Sequence, residues 1–305
     1  MGRDRFCASD GARVRLADVP PVPGVAHRDV QVGAVRLHVA EAGAGPPLIM
    51  LHGWPQHWWS WRHLIGAFAQ TYRVLVPDLR GFGWSDAPGG DYAKNTLVAD
   101  VLALLDAEGI SQVRIIGHDW GGYVAFLIAL EHPSRVERLV ALDIAPPWPG
   151  RPRPRHLALP LVGAYQAVLA TPRLGAWSLT SNGRFVRSII RAASGPRANW
   201  SDDELDIYAD VLREPARARA SSACYRTFLT SELPRSVARG DRSSELRVPG
   251  LLAMGGASPL GRVLDPQPGP TLRVETVPGA GHFLPEEAPE AVMELAAPFL
   301  AGEGS

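Results

Sequence analysis

The 305-residue sequence predicts an α/β fold, a mostly parallel sheet with helices on both faces and an inserted helical cap. Three observations predict it. Short, continuously apolar runs end in polar turn residues, as strands buried on both faces do. Through the first half these runs alternate with helical periodicity, which a parallel sheet with crossover helices requires. The strand pattern then breaks off after Pro146, gives way to helix-like segments, and resumes at Val248.

Taken in order, residues 1–26 read as a leader, with turn-forming Pro20, Pro21, Pro23 and Gly24. Asp29–Val32 and Ala34–Ala40 alternate around Gly33 and predict a hairpin. Pro47–Leu51 is a buried strand ending in His52-Gly53, and Arg73–Pro77 is another, ending in the turn Asp78-Leu79-Arg80-Gly81. Asn95–Ala107 has helical spacing, Gln112–Ile116 is a strand, and Glu137–Leu142 is a further strand ending at Asp143. Pro146–Gly150 and Arg151–Arg155 read as a stiff linker, followed by helix-like segments from about Leu157 to Leu233. Strands return at Val248–Met254 and Thr271–Thr276, and Pro289–Leu300 is the last helix. The domain division is therefore 27–146 with 247–305 as the core and 147–246 as the cap.

Composition narrows the function. The formal net charge is zero, which offers nothing to nucleic acid or an anionic membrane. No apolar run reaches membrane-spanning length and no signal-peptide core is present, so a soluble, cytoplasmic protein is expected. Cys7 and Cys224 match no metal or redox spacing and read as free thiols. Among the 31 cationic residues Lys94 is the only lysine, which we read as a genomic bias. No histidine–carboxylate cluster has metal-ligand spacing and no phosphate-binding glycine loop follows a strand, so neither metal nor cofactor is expected. The oligomeric state is open, a homodimer included.

The chemistry centres on Gly117-His118-Asp119-Trp120-Gly121-Gly122. A strand leads in and Tyr123–Leu130 leads out with helical periodicity, the layout of a nucleophile elbow. Glycines let the chain turn sharply and the helix pack closely, so that the central side chain projects into a cleft. Here that side chain is Asp119, where most such elbows carry serine. A carboxylate attacks an sp3 carbon and leaves an ester for water to cleave, which directs the chain toward epoxide or carbon–halogen chemistry.

The scheme needs a base to activate that water and an acid to orient the base. His282 lies in the glycine-rich loop Pro278–Pro285, after the last strand, and is the candidate base. The loop after Leu251–Met254, Gly255-Gly256-Ala257-Ser258, holds no carboxylate, and Asp265 lies too far along. Asp143, at the carboxyl end of the preceding strand, is therefore assigned as the acid, the alternative being a helix cap. Backbone donors for the ester's oxyanion come from the Trp120 amide and the Trp54 amide in His52-Gly53-Trp54-Pro55, where Pro55 permits a cis bond. Asp78, Arg80 and Asp86 read as loop-holding residues, His118 as a fixture of the elbow, and Trp58, Trp59 and Trp61 as packing at the cleft rim or a helix start.

With these residues in place, the chain from about His27 to Leu300 resembles the α/β-hydrolases of the epoxide hydrolase and haloalkane or fluoroacetate dehalogenase branch. The resemblance rests on His52-Gly53-Trp54-Pro55, Asp78–Gly83, Gly117–Gly122 and Gly281-His282-Phe283. Trp54 stands where haloalkane dehalogenases commonly carry a halide-holding asparagine. Trp120 and Tyr123 stand where fluoroacetate dehalogenases place carboxylate-gripping arginines. Tyr165 and Tyr225 resemble the two cap tyrosines with which epoxide hydrolases bind the epoxide oxygen. The resemblance thus implies epoxide hydrolysis to a vicinal diol, with Tyr165 and Tyr225 as acids and with Trp54, Trp120, Tyr165 and Tyr225 contacting the small-molecule epoxide. A dehalogenase using the same Asp119 is the alternative, because Trp120 is a halide ligand in some haloalkane dehalogenases. A catalytically silent receptor of the same fold is a further one.

Overall fold

The computed structural model describes residues 19–148, 163–240, 245–264 and 266–303. Eight strands form one sheet in the order β1-β2-β4-β3-β5-β6-β7-β8. They are β1 (Ala26–Val32), β2 (Val35–Ala42), β3 (Pro47–Leu51), β4 (Arg73–Pro77), β5 (Val113–His118), β6 (Val136–Leu142), β7 (Gly250–Gly255) and β8 (Leu272–Val277). The hairpin β1–β2 is antiparallel and β2 joins β4 antiparallel, while the other pairs are parallel. The mixed sheet follows from connection length. Gly33, in the left-handed region at φ 58°, closes a tight turn, whereas every parallel pair needs a crossover.

The strands read as apolar runs are the buried ones. Leu48–Leu51, Val74–Val76 and Leu139–Leu142 lie at 1% exposure or less, covered on both faces. The covering helices of the core are α1 (Arg62–Phe68), α2 (Lys94–Ala107) and α3 (Trp120–Glu131), with α12 (Pro289–Ala301) at the end of the chain. A short 3-10 turn, Trp58–Trp61, leads into α1 and buries all three of its tryptophans. Val19, Val22 and Val25 pack on the core just ahead of β1.

Between β6 and β7 every described element is helical: α4 (Ala164–Ala170), α5 (Leu174–Thr180), α6 (Arg184–Ala193), α7 (Asp202–Leu212), α8 (Pro215–Thr227), a π-helical turn (Phe228–Glu232) and α9 (Leu233–Arg239). Helix α7 starts on a capping box, Ser201 taking the Glu204 amide while Glu204 takes that of Ser201. The Pro149–Arg155 part of the linker, Cys7 and Asp265 lie outside the described residues. Two short helices remain, α10 (Pro259–Val263) after β7 and α11 (Leu284–Glu287) after β8.

The inserted helices are tied to the core by buried polar contacts. Arg217 of α8, 5% exposed, gives its guanidinium to the Gly83 and Ser85 carbonyls. Arg62 of α1 pairs with Glu204 at 2.7 Å and with Glu286, which also bonds Tyr208 of α7. These contacts hold the insertion over the carboxyl ends of β3, β5 and β6, the edge where parallel sheets gather ligands.

Candidate active site

Asp119 sits between β5 and α3 with φ 48° and ψ −123°, a positive-φ conformation that a non-glycine residue holds only when its surroundings force it. The surroundings are tight. A Cβ at Gly121 would collide with the Leu51 carbonyl, and one at Gly53 would collide with the Asp119 side chain itself. Two glycines of the sequence motifs therefore exist to let the nucleophile and the β3 turn approach each other.

That approach sets the electrostatics. The Trp54 amide donates to Asp119 Oδ2 at 2.9 Å, and the Trp54–Pro55 bond is cis. Burial raises the Asp119 pKa, while the neighbouring His282 and the Trp54 and Trp120 amides pull against it. With Oδ2 engaged, Oδ1 is the oxygen left to react. It lies 3.9 Å from His282 Nε2, too far for a hydrogen bond, so the imidazole does not tie the nucleophile down.

His282 follows β8 in a loop held by Glu287, which accepts the Gly281 amide at 2.9 Å and the Phe283 amide at 2.9 Å. His118 bonds the His282 carbonyl through Nε2 at 2.8 Å, which fixes the elbow to the base loop. His282 Nδ1 meets Asp143 Oδ2 at 2.7 Å, and since a carboxylate can only accept, Nδ1 carries the hydrogen and Nε2 is free as a base. Burial alone would lower the His282 pKa. The Asp143 hydrogen bond and charge, with the charge of Asp119, outweigh it and hold the pKa above its ordinary value.

Asp143 is fully buried with φ 44°, and both its oxygens accept hydrogen bonds. Oδ1 accepts the Gly255 amide at 2.8 Å, and Oδ2 accepts the Ser258 hydroxyl at 2.6 Å besides His282. The β7 loop that lacks a carboxylate thus supplies donors to one coming from β6. Ser258 was missed from sequence. Its only signal is Ser258-Pro259, an N-cap pattern, and the same hydroxyl does cap α10.

Tyr165 of α4 and Tyr225 of α8 meet over this centre. Tyr165 stacks on Trp54 with centroids 5.6 Å apart, and Tyr225 sits edge-on to Trp54 at 5.4 Å and to Trp120 at 5.5 Å. Burial, then the Asp119 charge, pushes the Tyr165 pKa up to about 12. Burial, then Tyr165 and Asp119, drives Tyr225 well above its usual value. Both stay protonated donors at any working pH. The structure thus brings Asp119, His282, Asp143, Tyr165, Tyr225, Trp54 and Trp120 into one constellation. Of the bystanders, Asp78 accepts the Trp58 and Trp84 amides and His38, Arg80 pairs with Asp100 of α2, and Asp86 with Arg36. Among the described residues no cluster of three or more metal-ligating side chains occurs, and no helix is long and apolar enough to cross a membrane.

The family described as alpha/beta hydrolase fold matches residues 46–162. A soluble epoxide hydrolase of Corynebacterium sp. (strain C12) is 33% identical over 285 residues, 91% of this chain and 98% of that protein. The chain belongs to the α/β-hydrolases, in their epoxide hydrolase branch. Among solved structures, this α/β-hydrolase is similar to the epoxide hydrolase CorEH, with a TM-score of 0.79 at 30% identity over 91% of this chain and 98% of that one. It is similar as well to a Salmonella enterica protein provisionally described as an acyltransferase, with a TM-score of 0.83 at 28% identity over 93% of this chain and 97% of that one. The fold carries more than one chemistry, so the reaction has to be argued from the site.

Proposed function

We propose that this α/β-hydrolase is an epoxide hydrolase that forms vicinal diols through an aspartyl ester, with residues 27–146 and 247–305 as its core and 147–246 as its cap. Asp119 Oδ1 attacks an epoxide carbon as the ring C–O bond breaks, and the freed oxygen takes a proton from Tyr165 or Tyr225. In the resulting ester Oδ2 is the carbonyl oxygen, already on the Trp54 amide, with the Trp120 amide as second donor. His282 Nε2 then takes a proton from water, whose oxygen adds to the ester carbon, while Asp143 stabilises the imidazolium. The imidazolium protonates the departing alkoxide. Asp119 is released as the acid, and its proton balances the one returned to the tyrosine.

The observation that carries this reading is the tyrosine pair. An opening epoxide leaves an alkoxide that stays attached to the product, so it needs neutral acids rather than a halide cradle. Two protonated hydroxyls packed on Trp54 and Trp120 supply them. The test is diol formation from a panel of small aryl and alkyl epoxides, with Asp119→Asn as control. Diol from the native protein alone is expected, and no diol from any epoxide would overturn the proposal.

One observation favours the dehalogenase as second reading: the indole Nε1 atoms of Trp54 and Trp120 are buried with no hydrogen-bond partner among the described residues, and indole N–H groups suit a departing halide. Halide release from haloalkanes or haloacids, lost in Asp119→Asn, would support it. A cytoplasmic location remains part of the proposal, tested by subcellular fractionation; the oligomeric state is open, a homodimer included, and the mass in solution decides it.

A further inference from the structure

The one lysine of the chain occupies a place that composition does not explain. With thirty-one cationic residues and a single lysine, nearly every cation in this protein is arginine. Lys94, at the start of α2, is fully buried. A buried cation persists only when paired and hydrogen-bonded. Its Nζ lies 3.1 Å from Glu232 Oε2, 3.4 Å from the Cys224 carbonyl and 4.2 Å from the centre of the Trp120 ring. A compact tetrahedral ammonium with three donors suits three such partners better than a longer, planar guanidinium.

All three partners belong to the candidate site or to the segment carrying it. Cys224 immediately precedes Tyr225. Trp120 immediately follows Asp119, and its ring is packed edge-on by Tyr225 and by Phe228 at 4.7 Å. Glu232 ends the π-helical turn that follows α8, a deviation that often marks functional positions. Its carboxylate takes the Lys94 backbone amide at 2.5 Å as well as the ammonium. The start of α2, the end of α8 and the indole beside the nucleophile are therefore locked through one side chain.

We propose that Lys94 is a positioning residue for ring opening: its ammonium, held by Glu232, fixes the Tyr225 end of α8 and the Trp120 ring relative to Asp119. This rests on the epoxide hydrolase reading. The lysine touches no reacting atom. It acts through the hydroxyl that donates to the epoxide oxygen, so its influence falls on ester formation and not on ester hydrolysis, which Asp143 and His282 govern.

The experiment is a double-mutant cycle, Lys94→Met with Tyr225→Phe, on rapid-mixing rates of ester formation from styrene oxide and of its later hydrolysis, followed by intact mass. Lys94→Met is expected to slow ester formation about tenfold, the size of one lost charged hydrogen bond, and to leave hydrolysis unchanged. In the Tyr225→Phe background it should cost nothing further. Glu232→Gln removes the counter-charge and leaves one oxygen to accept from either the ammonium or the Lys94 backbone N–H but not both, so it should slow the same step and serves should Lys94→Met fold poorly. Additive effects, or equal slowing of both steps, would overturn the positioning role while wild-type ester formation upheld the reaction. No ester in the native protein would instead bring down the epoxide reading, and this inference with it.

Discussion

Asp143→Asn probes the relay between acid and base, and the structure dictates which way the new amide faces. Oδ1 of Asp143 accepts the Gly255 backbone N–H at 2.8 Å, so that position must remain an oxygen in asparagine. The amide nitrogen then occupies the Oδ2 position. There the Ser258 hydroxyl can rotate to accept from it, and it donates to His282 Nδ1. An imidazole that accepts at Nδ1 carries its hydrogen on Nε2, the atom facing Asp119, and has no lone pair there for water. The wrong tautomer in a comparable relay costs about 10⁴ in turnover, and a loss of about 10³–10⁴ is the expectation for ester hydrolysis. Ester formation needs no base and should proceed within a few-fold of wild type. Intact mass spectrometry after mixing with an epoxide would therefore find the ester accumulating. Turnover within tenfold of wild type, with no ester retained, would refute the assignment of Asp143 and the tautomer argument together.

Other outcomes follow from the same geometry. Because the base works only when neutral, ester hydrolysis should fall as pH drops through the His282 pKa, which burial lowers and the Asp143 hydrogen bond and charge raise, the Asp119 charge being absent in the ester. A single-turnover pH profile locates that limb, and Asp143→Asn should remove it. Tyr165 is pushed up to about 12, so no alkaline limb from the tyrosines should appear below that pH. Tyr225→Phe keeps the ring packing and removes one acid, so ester formation should slow about 10²-fold, within the range for general acids, with hydrolysis and melting temperature little changed. Gly121→Ala forces a Cβ onto the Leu51 carbonyl and should destabilise the fold by about 1–3 kcal/mol, the usual cost of overpacking, visible in a chemical denaturation curve.

What could be read in the sequence was what short-range patterns encode. Pro47–Leu51 and Arg73–Pro77 are strands with those bounds, since a continuous apolar run between turn residues leaves one arrangement. The elbow was legible because its glycines serve a local turn. His282 and Asp143 came from their positions at strand ends. What escaped depends on contacts between distant segments. Ser258 looks like a helix cap and is one, and only the fold brings it 2.6 Å from Asp143. Lys94 looked like an accident of composition until α2 met the π-helical turn at Glu232. Glu286, whose pKa burial raises to about 7 against the pull of Arg62, joins Tyr208 across segments that no periodicity relates.

The central claim is that Asp119 becomes covalently attached to substrate and that His282 releases it. The most direct measurement is intact and peptide mass of His282→Gln after incubation with an epoxide that the native protein converts to diol. A mass gain equal to the whole epoxide, mapped to the peptide holding Asp119 and absent in Asp119→Asn/His282→Gln, is the predicted result. An unmodified His282→Gln protein, under conditions where the native protein turns that substrate over, would contradict the two-step account.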